Sequence, residues 1–205
     1  MNTKSIKSKA LYYHTGILLG IAATSFFLTI KVAFAYVVDP WKWPTNTVNY
    51  DPHLLNSQWV QAVDSARSAW NNVTPSPFGF YRNDTSANDL YMTGLADPLI
   101  ALEFTYCGTS LCNTAGSTVT RTVIQFDNSN RAWHVPSDGN CMVPSNTYDA
   151  RAVITHELGH SATLKDSTCG SDPPTMCGVM PSGVSSCAWR SLHQDDITGL
   201  NAQYP

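Results

Sequence analysis

The segment His156-Glu157-Leu158-Gly159-His160 contains the residue types of a metal-dependent hydrolase. Its histidines are four residues apart, so on a helix both imidazoles lie on one face and can reach the same metal ion. Glu157 lies about 100° round the helix from His156, which places its carboxylate beside the metal as a general base. Zinc in such a site lowers the pKa of a bound water to about 7. A helix with ordinary solvent-facing side chains is the alternative interpretation.

A catalytic zinc site needs three protein ligands and one open position. Asp166 follows His160 by six residues, and a carboxylate oxygen is an accepted zinc ligand. The sequence therefore predicts one catalytic zinc ion held by His156, His160 and Asp166, with Glu157 as the general base. If Asp166 points to solvent instead, another residue such as Asp172 would complete the coordination.

The remaining histidines are less informative. His134, near Asp127 and Asp138, is a candidate ligand for a second zinc or a structural calcium ion, but no clear motif supports either metal. His53 and His193 are expected to be structural or surface residues. His53 lies next to Pro52 in a predicted loop, and His193 precedes the last predicted helix, where a cap residue is expected.

Hydrophobic spacing predicts the elements that position these residues. Apolar residues recur at three- and four-residue steps over residues 55–73, which predicts a helix. A second helix over residues 148–161, with Asp149 as its N-cap, contains the HExxH segment. A short last helix has Asp195 and Asp196 in its first turn, where their charge matches the positive end of the helix dipole.

The β-prone segments lie mainly between the first two helices. Trp41, Trp43 and residues 47–50 indicate a first strand, and residues 134–147 are expected to form a loop. Four further runs indicate strands at residues 79–81, 90–92, 101–106 and 120–126. The order strand, helix, strands, helix, loop, helix predicts an α+β domain with a mixed sheet.

The first 35 residues differ in composition from the rest of the chain. Lys4, Lys7 and Lys9 precede an apolar run, and Ala33-Phe34-Ala35 provides a small-x-small cleavage site. The run is shorter than the ~20 residues of a membrane-spanning helix. We expect residues 1–35 to be a cleaved signal peptide and residues 36–205 to be one secreted, extracellular domain. The alternative is an uncleaved N-terminal anchor.

The predicted mature chain is acidic. Residues 36–205 contain 8 Lys and Arg against 15 Asp and Glu, a formal charge of −7. This balance excludes the basic surface that nucleic-acid binding requires. We expect a monomer that acts on a protein or peptide substrate and has no stable membrane association after signal cleavage.

All six cysteines lie in the predicted mature domain, and an even number in an exported chain indicates disulfides. The short loops suggest pairing of Cys107 with Cys112 and of Cys169 with Cys177, which leaves Cys141 for Cys187. Fifteen pairings of six cysteines remain formally possible. A cysteine zinc site is disfavoured because no C-x-x-C pair occurs.

The segment from His156 to Asp166 resembles the metzincin motif HExxHxxGxxH/D, and its flanks are similar to matrixins and their bacterial relatives. Similar flanking residues include Tyr148-Asp149, the run from Asp172 to Met176 and Asp195-Asp196-Ile197. The resemblance implies a secreted zinc endopeptidase with a twisted mixed sheet, an active-site helix and a C-terminal helix. It also implies a methionine turn beneath the zinc, for which Met176 is favoured over Met180; ordinary core packing is the alternative for both.

Two residues depart from the family pattern. The family has glycine where this chain has Thr163, and a β-branched residue at positive φ is an outlier, so we expect another turn or strain of about 1–3 kcal/mol. Asp166 stands where histidine is commoner, but some members use aspartate. The matrixin structural-metal motif is not recognisable.

No cysteine-bearing prosegment lies between Ala35 and Trp41, so we expect activity directly after export. Two other functions stay open at this point. The domain could be a catalytically inactive binding module, which Thr163 favours and the presence of Glu157 opposes. It could also be a zinc hydrolase of a non-peptide substrate.

Overall fold

A computed structural model of the chain describes residues 36–135, 140–169, 175–184 and 187–205. The expected signal peptide at residues 1–35 lies outside these ranges, as do Asp138 and Asp172. No helix in the described ranges is long and apolar enough to cross a membrane.

Helices and short strands alternate along the described chain. The helices are α1 (Ser57–Asn71), α2 (Ala150–Ser161) and α3 (Gln194–Gln203), with a 3-10 turn at Cys187–Arg190. The first five strands are β1 (Val37–Val38), β2 (Thr47–Tyr50), β3 (Gly79–Arg82), β4 (Leu90–Thr93) and β5 (Ala101–Cys107). The others are β6 (Ser110–Leu111), β7 (Arg121–Asp127), β8 (Ala132–His134), β9 (Thr147–Asp149) and β10 (Leu164–Lys165).

The strands form a mixed sheet. β2 pairs with β3 in parallel, and β4, β7, β5 and β6 form a sheet in that order. β7 is parallel to β4 and antiparallel to β5. An isolated bridge between Asp51, just after β2, and Asp89, just before β4, connects these two sheets, while β1 pairs with β10 and β8 pairs with β9 separately. This arrangement confirms the predicted α+β fold.

Local capping sets where the predicted helices begin. α1 begins at Ser57 because the side chain of Asn56 accepts hydrogen bonds from the backbone N–H groups of Gln58 and Trp59. α2 begins directly after Asp149, whose side chain accepts from the N–H of Ala152, as predicted. Both N-terminal boundaries therefore follow from a cap residue and not from the apolar pattern alone.

The core lies between the sheet and the packed helices α1 and α2. Trp59, Val63 and Trp70 of α1 are buried, and the indole Nε1 of Trp70 donates to the backbone oxygen of Thr155 in α2 at 2.9 Å. Truncating a buried aromatic residue costs about 3–5 kcal/mol, so Trp70 contributes strongly to the packing of α1 against α2. This contact sets the position of the helix that contains the HExxH segment.

Two expectations for the strands were wrong in part. Trp41 and Trp43 precede β2 instead of belonging to it, because the backbone of Lys42 between them forms an isolated bridge with Thr118. The indole Nε1 of Trp43 donates to the backbone oxygen of Ser161 at 2.7 Å. The segment 134–147, expected to be a loop, ends in β9, which pairs in parallel with β8. Such short strands are determined by long-range pairing and leave no alternating apolar pattern.

Candidate metal centre

One face of α2 presents both histidines of the HExxH segment. The Nε2 atoms of His156 and His160 are 3.1 Å apart, and the two rings are nearly perpendicular. The next residue along the chain, Glu157, is 5% exposed. The helix therefore brings the three predicted side chains to one place, as the four-residue spacing requires.

The chain reverses immediately after α2. Thr163 has a φ of 64°, in the left-handed region that favours glycine. Its hydroxyl lies 3.1 Å from the hydroxyl of Tyr204 and accepts a bond from the Gln203 amide at 2.8 Å. Of the two outcomes expected for Thr163, a different turn or a strained one, the structure shows the strained turn. Strain of this kind costs about 1–3 kcal/mol. The hydroxyl contacts offset part of that cost.

The reversed chain passes through β10 and brings Asp166 back to the histidines. Its Oδ1 lies 3.3 Å from Nε2 of His156 and 3.5 Å from Nε2 of His160. These donor atoms all lie within 4.8 Å of one another. Within the described ranges this is the one group of three or more such side chains able to hold a metal ion, and the possible second site at His134 stays untested because Asp138 lies outside those ranges.

Hydrogen bonds determine which imidazole nitrogen is available to a metal. Nδ1 of His156 lies 2.8 Å from the backbone oxygen of Thr175, and Nδ1 of His160 lies 2.8 Å from that of Leu164. A carbonyl oxygen only accepts, so both Nδ1 atoms donate and each neutral ring has its lone pair on Nε2. Lone pairs from two imidazoles and a carboxylate thus converge. This donor set fits Zn²⁺.

The charges within the cluster favour a cation. Burial opposes a charge on His160, but Asp166 and Glu157 raise the pKa of its imidazole to about 9. Hydrogen bonds from His156 and His160 hold the pKa of Asp166 below its usual range. Burial raises the pKa of Glu157, although the two histidines oppose this shift. A raised pKa suits a carboxylate that has to accept a proton.

Met176, the residue favoured for the methionine turn, packs against Gly159 of α2. It is 2% exposed, and a Cβ added at Gly159 would lie 2.1 Å from its Sδ. Residue 159 therefore has to be glycine for Met176 to pack here. Met180, the alternative candidate, is only partly buried and lines the cleft beside the cluster.

Asp196 holds the backbone at Met176 in place, a role that the sequence did not reveal. Its carboxylate accepts hydrogen bonds from the backbone N–H groups of Thr175 at 2.9 Å and Met176 at 3.1 Å. It also accepts from the N–H of His193, which caps α3 as expected. The only signal in the sequence was the pair of acidic residues at a helix start, which predicts capping and not a long-range contact.

A cleft of about 550 Å³ opens over the cluster. Residues 98–103, at the start of β5, form one wall, and the chain from Cys177 to Met180 forms another. β7 pairs with one edge of β5, and β6 pairs only with Tyr106 and Cys107 on the other edge. Within the described ranges, the edge from Ala101 to Phe104 is thus free of a strand partner.

All six cysteines are paired as the loop lengths suggested. The disulfides join Cys107 to Cys112, Cys141 to Cys187 and Cys169 to Cys177. The last of these links the segment that follows Asp166 covalently to the segment that follows Met176, close to the donor side chains.

Comparison with known families identifies the family of the chain. The family model for matrixins, a peptidase family, matches residues 42–205, which is most of the chain. No curated protein matches the sequence. The matched region includes the whole cluster of His156, His160 and Asp166, together with Glu157 and Met176. The chain belongs to the matrixin family of metallopeptidases.

Proposed function

We propose that the protein is a secreted zinc-dependent endopeptidase that hydrolyses internal peptide bonds. The observation that carries this proposal is the convergence of three metal-donor atoms, from His156, His160 and Asp166, next to a buried carboxylate. The family membership supports metallopeptidase activity in general. The arrangement of these side chains supports the specific assignment of roles.

The three donors would hold the zinc ion through Nε2 of each histidine and Oδ1 of Asp166. When bound, the ion lowers the pKa of a water molecule and withdraws electron density from the scissile carbonyl. Glu157 is the general base: its carboxylate takes a proton from the attacking water and returns it to the leaving amine. Its burial and raised pKa suit both directions of this transfer.

The free edge of β5 is the proposed binding site for the substrate backbone. An extended peptide can add to this edge through main-chain hydrogen bonds, while its side chains alternate between the walls of the cleft. The edge from Ala101 to Phe104 borders the same cleft as the metal cluster. An internal peptide bond would therefore lie across the donors.

Export is part of the same proposal. Three disulfides are typical of proteins that fold outside the cytoplasm, and residues 1–35 have the composition of a signal peptide. We place the catalytic domain at residues 36–205 and expect it to act as a monomer, since its acidic surface keeps copies apart.

A chelator experiment on the purified protein tests this proposal. Casein hydrolysis should stop when a strong zinc chelator is added and should return when zinc is restored. A protein that binds zinc without cutting casein or gelatin would instead be a binding module. Hydrolysis of a non-peptide ester or amide alone, with no proteolysis, would identify a different zinc hydrolase.

A further inference from the structure

A further carboxylate, beside those at the metal cluster, lines the cleft. Glu103 lies on β5 and is one of only two glutamates in the chain; the other is Glu157. Strand alternation puts the side chain of Glu103 on the same face as that of Ala101, which is buried. Glu103 as a whole is partly exposed and lines the cleft, although its carboxyl group is largely buried there.

Glu103 is held in position by a neutral neighbour. The hydroxyl of Thr105 donates to its two carboxylate oxygens at 2.8 and 2.9 Å. No ion pair is formed by Glu103 with any residue in the described ranges. None of the described residues that line the cleft is Lys or Arg. The acid is therefore oriented by a neutral neighbour, and the charge of His160 acts on it without forming an ion pair.

An unpaired carboxylate in this setting is costly to keep charged. Loss of water on burial raises the pKa of Glu103 to about 8, although Thr105 opposes the shift. The walls on either side include the apolar side chains of Leu99, Leu102 and Val179. A cationic group that entered the cleft would form an ion pair with Glu103. Charge-assisted hydrogen bonds of this kind are about twice as strong as neutral ones.

We infer that Glu103 is a specificity-determining residue, which selects peptide substrates that place a lysine or arginine side chain in the cleft beside β5. This inference rests on the proposed peptidase function. An extended substrate on the free edge of β5 presents every second side chain to one wall. One substrate position should therefore show the preference, while its neighbours along the peptide should not.

The first experiment compares cleavage of matched peptides. Each peptide in the set has lysine, arginine or the neutral residue norleucine at one scanned position. The wild-type protein should show a kcat/KM about tenfold higher for the basic residues at that position. The Glu103→Gln variant keeps the shape and loses the charge, so its ratio should fall to about 1, because kcat/KM for the basic peptides drops about tenfold to the norleucine value.

Two control variants make the comparison specific. Asp84 is exposed, is paired with Arg82 and does not line the cleft. Asp84→Asn therefore removes an acidic charge elsewhere and should keep the wild-type ratio of kcat/KM for basic over norleucine peptides. Thr105→Val removes the donor that orients Glu103 and should lower the ratio in part. Zinc content is measured for each variant, because an altered ratio with unchanged zinc assigns the effect to substrate recognition.

Binding to an inactive variant separates this inference from the peptidase proposal. On a Glu157→Gln background, a lysine peptide should bind about tenfold more tightly than its norleucine counterpart, and adding Glu103→Gln should abolish the difference. Equal binding of both peptides, or a preference that survives Glu103→Gln, would overturn the role of Glu103. Selective binding by a wild-type protein that cleaves no peptide would overturn the peptidase proposal alone.

Discussion

At the scale of single residues, Thr163 stabilises a turn that its own side chain makes unfavourable. A β-branched residue at a φ of 64° is strained, yet its hydroxyl contacts both Tyr204 and Gln203 at the end of the chain. The turn determines whether Asp166 reaches the histidines. The last residues of the chain therefore help to position a proposed metal ligand.

Two substitutions at Thr163 separate the strain from the hydrogen bonds. Thr163→Ala removes the hydroxyl and keeps a Cβ at positive φ, whereas Thr163→Gly removes both. The glycine variant should have a free energy of unfolding about 1 kcal/mol higher than the alanine variant. Chemical denaturation measures this difference. An alanine variant at least as stable as the glycine variant would show that the fold does not force residue 163 into the left-handed conformation.

Asp166 is the proposed ligand with the most exposed side chain, and substitutions test it separately. Asp166→Ala should lose zinc and proteolysis together, because two histidines alone hold the metal poorly. Asp166→His should retain part of both, since imidazole coordinates zinc at a similar distance. Metal analysis of purified variants measures this, with Asp84→Asn as the control. Near-stoichiometric zinc and full activity in Asp166→Ala would remove Asp166 from the site.

Residue types and spacing were sufficient to identify part of the site. His156, Glu157 and His160 follow from helix periodicity, and the structure places them together with Asp166. Asp196 and Glu103 could not be assigned roles, because their contacts depend on residues distant in sequence or on a cleft that exists only after folding. The sequence around an isolated acidic residue does not show which groups its side chain will contact in the folded protein.

At the scale of elements, Asp127 fixes the end of β7 next to the cleft wall. It is fully buried, and its carboxylate accepts from the backbone N–H groups of Leu95, Ser129 and Asn130. These bonds tie β7 to the chain that leads into β5. They also hold the pKa of Asp127 well below its usual range, chiefly through the bond from Leu95.

The depressed pKa of Asp127 predicts a pH-dependent contribution to stability. The carboxylate stabilises the fold fully above its unfolded pKa of 3.8, and this contribution is lost as pH falls towards the lower folded pKa. Asp127→Asn should therefore be destabilised at neutral pH, with a difference from wild type that shrinks in acid. Urea unfolding at several values between about pH 3 and 7 measures it. A difference that grows in acid would contradict the account.

The helices were easier to predict than the sheet. α1 and α2 follow from apolar periodicity and caps, both of which are local. The pairing order of the strands and the free edge of β5 depend on contacts between distant segments. The sequence showed runs of β-prone residues but not which run would border the metal cluster.

At the scale of the whole molecule, three disulfides tie the loops around the domain. They span 5, 8 and 46 residues. In the chain-entropy description, a cross-link that closes a longer loop stabilises more, about 4 kcal/mol for the longest loop and about 2 kcal/mol for the shortest. The bond between Cys141 and Cys187 should therefore contribute most.

Pairwise replacement of cysteines by serine tests this ranking. The Cys141→Ser/Cys187→Ser variant should lose the most stability and Cys107→Ser/Cys112→Ser the least, as measured by denaturant unfolding under non-reducing conditions. Thiol titration of the wild-type protein provides the control and should find no free cysteine. Six free thiols in the native protein would contradict the disulfide assignment.

The most direct test of the proposed function is zinc content and peptide hydrolysis measured together on one preparation of Glu157→Gln. Because the side chain is assigned as the base and not as a ligand, zinc should remain near-stoichiometric. Hydrolysis should fall by roughly a hundred- to ten-thousand-fold, the usual contribution of a general base. Hydrolysis equal to that of the wild-type protein, with zinc still bound, would contradict the assignment of Glu157 and the mechanism that depends on it.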